Sequence, residues 1–430
     1  MSILLFSMIG INVSAYDIEV PNADGVMIYY NYINDGTELA VTAGELDSSG
    51  YSFEYQGAVV IPEEVAVNGN KLKVTSIERC AFFYSTEMTS VSIGNNVTMI
   101  GDCAFMGCDG LTSISIGNSV TTIGEGAFVR CHGLTSVAIP NSVVTIGESA
   151  FYDCKSLVFV SIGNSVTTIG DYAFGECRKL ASANIPNSVM TIGEGAFYDC
   201  FNLVSAIIPN SVTSIGERAF YNCEDIAFVS IGSSVTSIGN DAFLGCGIKI
   251  VELNSNVIVS QNYSDGASIC NLFAHNNVRA YILRDGVSSI GDYAFSGFAD
   301  GTQEITLDIG SNISYIGKSI LDYHSCKLDL ICRATVIPNT DEEAFNRVNL
   351  SLSTLYVPEE SMEAYQTTAP WSKFKNIVPI TSSGIIEPTA MQQPTIVECY
   401  DLSGRRTSQL QRGVNIIKMS DGTTKKVVVK

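Results

Sequence analysis

The chain has 430 residues, 46% of them apolar, and a formal net charge of −20. The last thirty carry seven basic residues against Asp401 and Asp421, so the preceding 400 stand at −25. A body this acidic argues against a nucleic-acid partner, whose phosphates need a basic face, and its plainest reading is solubility.

The chain opens on a short apolar run, Ile3 to Ile11, followed by Val13-Ser14-Ala15. This small-x-small pattern predicts a signal peptide over 1–15 and export, and the run is too short for a membrane span. The positively charged start of such a signal is missing, as if the chain began inside a longer one. Residues 16–71 carry no regular repeat, and YQGAVVIPEEV within them reads as a first imperfect strand.

From residue 72 to 250 the sequence is periodic. Phenylalanine recurs every 23 residues as Phe82, Phe105, Phe128, Phe151, Phe174, Phe197, Phe220 and Phe243, each preceded by alanine. A fixed period of 20–30 residues marks a solenoid, whose coils bury an apolar face only by stacking. In the coil LTSVAIPNSVVTIGESAFYDC (134–154), Leu134, Val137 and Ile139 alternate with Ser136, Ala138 and Pro140, the pattern of a half-buried strand. Pro140-Asn141-Ser142 turns the chain, and Val143 and Ile146 flank a second extended segment that stops at Gly147. Glu148 then precedes Ala150-Phe151, read as one helical or 3-10 turn capped by the carboxylate. Isoleucine ladders (Ile93 to Ile231, Ile100 to Ile238) and a glycine ladder (Gly101 to Gly239) keep the same register. The glycine meets either a positive φ or a close backbone approach.

Three further ladders carry chemistry. Seven of the 13 cysteines recur from Cys108 to Cys246. Rungs roughly 4.8 Å apart with parallel Cβ vectors sit badly with the ~3.8 Å Cβ separation of a disulfide, so these read as buried thiols that fill the core. Asp102, Glu125, Glu148, Asp171, Glu194 and Glu217 form an acidic ladder, read as caps and solvated charge, with calcium bridging between coils as the alternative. The outward strand positions Ser136, Phe159, Ser182, Ser205 and Phe228, beside Asn184 and Ile207, make a small-residue face with a few large apolar anchors. Exposed aromatics on such a face are typical of binding hot spots; packing against a neighbouring loop is the other reading.

Little else points to catalysis. The three histidines are His132, His275 and His324. Cys131 and His132 are adjacent and should point apart, and His324, Cys326 and Cys332 fit no common zinc spacing. No phosphate loop or nucleophile elbow occurs. Nothing in the sequence calls for a cofactor.

Degraded repeats continue over 251–380, through SSIGDYAFSGF (288–298), SYIGKSILDYHSC (314–326) and LSTLYVPEESMEAYQ (352–366). Residues 381–395 form a Pro-containing linker. Residues 396–430, with turns at Ser403-Gly404 and Asp421-Gly422, predict a small β module.

The repeat L-x-x-V-x-I-P-N-S-V-T-x-I-G-E-x-A-F-x-x-C resembles the BspA-like leucine-rich repeats of bacterial and protist surface proteins, and residues 16–71 resemble that family's N-terminal cap. YDLSGRR, L-x-x-G and the final KKVVVK resemble the C-terminal sorting domains of type IX secretion, although Asn415 stands where an aromatic residue is frequent. The expected fold is a β-rich solenoid of the leucine-rich-repeat kind, with parallel stacked strands, short helical or 3-10 turns, an irregular N-terminal β cap and a small C-terminal β module. The resemblance implies a secreted or outer-membrane-surface adhesin for host extracellular-matrix or cell-surface proteins, or for other bacteria, handled by export machinery through its C-terminal module. A ligand-free structural coat or spacer, and a glycan-binding accessory protein, are the rival readings.

Overall fold

The computed structural model describes residues 16–44, 55–264, 267–273, 278–296, 304–321 and 327–380, and the strand paths of 396–400, 406–407, 413–419 and 424–429. The signal-like residues 1–15, the linker 381–395, and His275, His324 and Cys326 lie outside them.

The chain winds into a parallel β-solenoid of about twelve turns with few helices. Each coil contributes a strand of about three residues to one sheet and a two-residue strand to another. Ser136–Ala138 pairs in parallel with Phe159–Ser161, and that with Ser182–Asn184. Thr145–Ile146 pairs likewise with Thr168–Ile169 and onward to Thr191–Ile192. Side chains alternate across a strand, so Val137 and Ile139 enter the core while Ser136 and Ala138 face out. The outward-facing sheet is interrupted in its hydrogen bonding between Ser113–Ser115 and Ser136–Ala138, and again between Ser182–Asn184 and Ser205–Ile207.

The phenylalanines form one continuous stack down the core. Neighbouring rings from Phe82 to Phe243 have centroids between 4.8 and 5.5 Å apart, and Phe151 and Phe174 are within 3° of parallel. Tyr55 extends the stack at one end and Phe273 at the other. Both isoleucine ladders are buried, except that Ile238 is half-buried.

The segment around each phenylalanine differs in detail from a helical turn. In the regular coils it is a run of turns with two left-handed residues, such as Ser149 (φ 54°) and Asp153 (φ 59°). The amides of Ser149, Phe151 and Asp153 donate to Asp171, Ala173 and Gly175 of the next coil at 2.7–2.8 Å, while Ala150 and Tyr152 donate back within their own coil. A stack offers carbonyls on the neighbouring rung, and alternate amides take them in place of helical partners. Helical segments occur outside the regular repeats, at Asn256–Ser260, Ile269–Leu272 and Met362–Thr367.

Close approach, and not φ, explains the turn glycine: a Cβ on Gly147 would lie 2.7 Å from the carbonyl carbon of Gly124. The acidic ladder also acts between coils. Asp102 accepts from the Glu125 amide at 2.9 Å and Asp171 from the Glu194 amide at 2.8 Å. The expected cap on the residue's own turn is thus a cap on the next coil, because the stacked backbone lies within reach of the short aspartate side chain.

The ends depart from the repeat. Ile18–Pro21, Met27–Ile33 and Glu38–Thr42 form an antiparallel meander that joins the solenoid through Asn70–Ile77. At the far end Trp371 is buried against Phe345 and Tyr365, and its indole N–H donates to the Thr340 hydroxyl at 3.0 Å. Strands 406–407, 396–400, 413–419 and 424–429 make a four-stranded antiparallel sheet in that spatial order.

Candidate binding face

The outward positions of the three-residue strands form two columns along the solenoid. Ser136, Phe159 and Ser182 are register partners in one, Ala138, Ser161 and Asn184 in the other. Further on, Ser205 pairs with Phe228 and Ile207 with Ser230. Ser136, Phe159, Ser182 and Ser205 are half-buried, Asn184 is exposed, and Ile207 is 45% exposed. Phe159 stands between two serines, so its ring has no large neighbour in its column. Ile207 lies two rungs further and one column across.

Phe228 is a correction. It is 5% exposed and packs with Ile250, Ala280 and Ile282 in a small apolar cluster distinct from the core. The reason lies in its neighbours: Phe228 pairs with Ile250 and Ile250 with Ala280, so large residues on successive rungs shield one another. Beyond it the face carries ion pairs. Arg284 meets Glu252 at 2.6 Å, and Arg333 holds the buried Asp308 through two bonds of 2.7 and 2.6 Å. The open part of the face therefore ends near Ser205 and Ile207.

Towards the N-terminal end the second column runs through Val60, Ser92 and Ser115. There it borders a shallow groove of about 470 Å³, whose other wall includes Glu63, Asn95 and Asn118. Asn95 donates to Glu63 at 3.0 Å and accepts from the Asn118 amide at 3.0 Å. Asn95 thus braces the next coil, as Asn141 and Asn210 do further along by accepting from the Asn164 and Ser233 amides at 2.8 Å.

A second surface was not legible from the repeat. Tyr152, Tyr172, Tyr198 and Tyr221 follow one another along the turn ridge, with Tyr198 and Tyr221 stacked at 5.2 Å and 5°. Tyr152 lies over Gly175 and Tyr172 over Gly195, where a Cβ would meet the rings at 2.9 and 2.4 Å. The Tyr152 hydroxyl donates to Glu176, and that of Tyr172 to Glu194 at 2.6 Å. Burial, then the bond to Glu194, raises Tyr172 to about 12. These tyrosines occupy two different offsets of the repeat, which hides them from a ladder search; the glycines one coil on are the available signal.

Cys131 and His132 face different surroundings. The Cys131 thiol donates to the Phe105 carbonyl at 3.2 Å in the core. His132 reaches Asp109 through Nδ1 at 2.7 Å and Asp153 through Nε2 at 3.3 Å. The seven ladder cysteines are free and buried, and each donates to a phenylalanine carbonyl 26 residues back, from Cys108 to Phe82 through Cys246 to Phe220. Among the described residues no three histidine, cysteine, aspartate or glutamate side chains gather as a metal site.

A stack of parallel coils with a 23-residue grammar defines a leucine-rich-repeat solenoid, and the BspA type leucine rich repeat region matches residues 75–203, 144–265 and 269–388. The chain belongs to that family. Among solved structures it is similar to a leucine-rich repeat protein of Bacteroides ovatus (24% identity over 85% of this chain and 100% of that one, TM-score 0.40). It is also similar to a leucine-rich repeat protein of T. pallidum (28% identity, 53% and 89% covered, TM-score 0.40). A leucine rich cell surface protein of Faecalibacterium prausnitzii matches at 22% identity over 85% and 96% of the two chains, with a TM-score of 0.42. No curated protein matches the chain.

Proposed function

We propose that this is an exported, surface-exposed repeat protein that binds macromolecules of a host or of other bacteria through the open part of its outward sheet, without catalysing a reaction. The observation that carries the reading is Ile207, 45% exposed on a face made mostly of small residues, with the half-buried Phe159 two rungs away between two serines. Large apolar side chains on a flat, serine-rich and rigid surface are anchors that a protein partner can desolvate at little entropic cost. Matrix and cell-surface proteins of a host are the proposed partners. The N-terminal signal-like segment and the C-terminal sorting-like module support export, the latter through outer-membrane machinery. The test is adsorption of the purified chain to immobilised matrix proteins, epithelial cells and bacterial cells. Saturable binding to any of these supports the reading, and none to all three favours a ligand-free coat or spacer.

A further inference from the structure

The groove of about 470 Å³ at the N-terminal end of the solenoid coincides with a change in the repeat. The residue after each buried strand isoleucine is Gly94, Gly117, Pro140, Gly163, Pro186 and Pro209 in successive coils. Pro62 holds the same place in the strand paired ahead of them. Gly94 and Gly117 are the one adjacent pair of glycines in this run, and the groove is lined by their coils and by Pro62, not by the coil of Pro140. A Cβ on Gly117 would lie 2.4 Å from the Gly94 carbonyl oxygen, so the floor is bare backbone with coil against coil. The walls carry polar groups with bonding capacity to spare. Ser92 and Ser115, register partners in the outward column, stand on one side, and Glu63, Asn95 and Asn118 on the other, all of them exposed. Asn95 is committed to its neighbours, donating to Glu63 and accepting from the Asn118 amide. Among the described residues nothing bonds to the hydroxyls of Ser92 and Ser115, to the side-chain amide of Asn118, or to the second carboxylate oxygen of Glu63.

We propose that this groove binds a neutral saccharide of one or two pyranose rings, laid along the coils. A sugar hydroxyl both donates and accepts. A carboxylate accepts, and a serine hydroxyl or an asparagine amide does both, so the four free groups match the polar edge of a sugar ring. Val60, 38% exposed, and Pro62 give its C–H face an apolar place to rest.

Size and charge agree with that ligand. The volume falls in the range of small-molecule sites, roughly 300–1,000 Å³. From Val60 through Ser92 to Ser115 the groove spans two rung spacings, roughly 10 Å. Glu63 is the one charged residue that lines it, which disfavours anionic ligands. Asn95, tied to a neighbour on each side, holds its wall in place before a ligand arrives, so little ordering is left to oppose binding. The site is separate from Phe159 and Ile207 and goes beyond the macromolecular contact proposed for the open face.

The test is calorimetric titration of the full chain with millimolar glucose, galactose, mannose and N-acetylglucosamine, and with maltose, cellobiose, lactose and chitobiose. Saturable binding of at least one of these sugars is expected. The variant Ser115→Ala with Asn118→Ser should bind it at least about ten-fold more weakly, as the loss of two hydrogen bonds implies. Other coils carry Ala138 and Ser233 at those places. The Ser233 amide makes to Asn210 the bond that the Asn118 amide makes to Asn95, so unfolding midpoints in urea should be retained. Asn118→Ser alone serves if the pair does not fold. Phe159→Ser with Ile207→Ser should leave sugar binding unchanged, and its loss there would place the sugar on the open face and overturn the proposal. No saturable binding of any of the eight sugars overturns it too, as does binding that the folded Ser115→Ala, Asn118→Ser variant keeps in full.

Discussion

The thiol of Cys177 donates to the carbonyl of Phe151, one coil back, at 3.2 Å. This bond joins the two most regular ladders of the core and gives the stacked backbone a partner that no strand supplies. Cys177→Ala removes the donor and leaves a small void, so a loss of about 1–3 kcal/mol is expected in denaturant unfolding. Phe151→Ala should cost more, roughly 3–5 kcal/mol. The seven ladder thiols should be reduced, slow to alkylate in the native chain, and exposed together on denaturation. Mass spectrometry that found disulfides between ladder neighbours would contradict this.

Phe159 and Phe228 occupy equivalent places in the repeat and should respond oppositely to serine. Phe159→Ser restores the residue found on neighbouring coils and should change stability by less than about 1 kcal/mol. Phe228→Ser opens the cluster with Ile250 and Ile282 and should cost about 2–4 kcal/mol. Equal midpoints for the two variants in urea would show that Phe228 is not packed as described.

Glu148 carries a pH signature. Burial, then the carboxylates of Glu125, Asp171 and Glu194, raises its carboxyl above the usual value. An acid whose folded pKa lies above its unfolded one opposes folding when ionised. That penalty is fully present above the folded pKa and gone below the unfolded value of about 4.3. Glu148→Gln should therefore raise Tm at about pH 7, less so at high salt, and should leave it unchanged near pH 3. A Tm gain that persisted at low pH would point to packing instead.

The C-terminal β module is expected to direct export. Cells making a chain that ends near Pro394 should retain it, whereas the full chain should reach the surface. Equal surface delivery of both forms would remove the sorting role from residues 396–430.

Much of the fold was legible in residues such as Phe151, Ile146 and Gly147, because a solenoid copies one local solution and the period exposes it. What the period hides is the contact between coils. The reach of Asp171 to the Glu194 amide, the bond from Cys177 to Phe151, and alternate amides donated forward all depend on the spacing of neighbouring backbones, which a single coil's sequence does not state. The face was legible only in part for a related reason. Phe159 and Phe228 look alike in the repeat, and Ile250 and Ile282, which decide the burial of Phe228, come from coils where the grammar has decayed. The tyrosine ridge escaped because Tyr172 and Tyr198 sit at different offsets.

The central claim is that binding resides on the open outward face. It is tested most directly by the full chain carrying Phe159→Ser and Ile207→Ser, compared with the unsubstituted chain in attachment to matrix proteins, epithelial cells and bacteria. Both changes restore small polar residues at outward positions, so unfolding midpoints should be retained. Loss of two apolar anchors should weaken attachment by about 2 kcal/mol or more for each anchor that acts as a hot spot, at least about thirty-fold in Kd. Attachment unchanged in a folded double variant would contradict the account and move the site off this face.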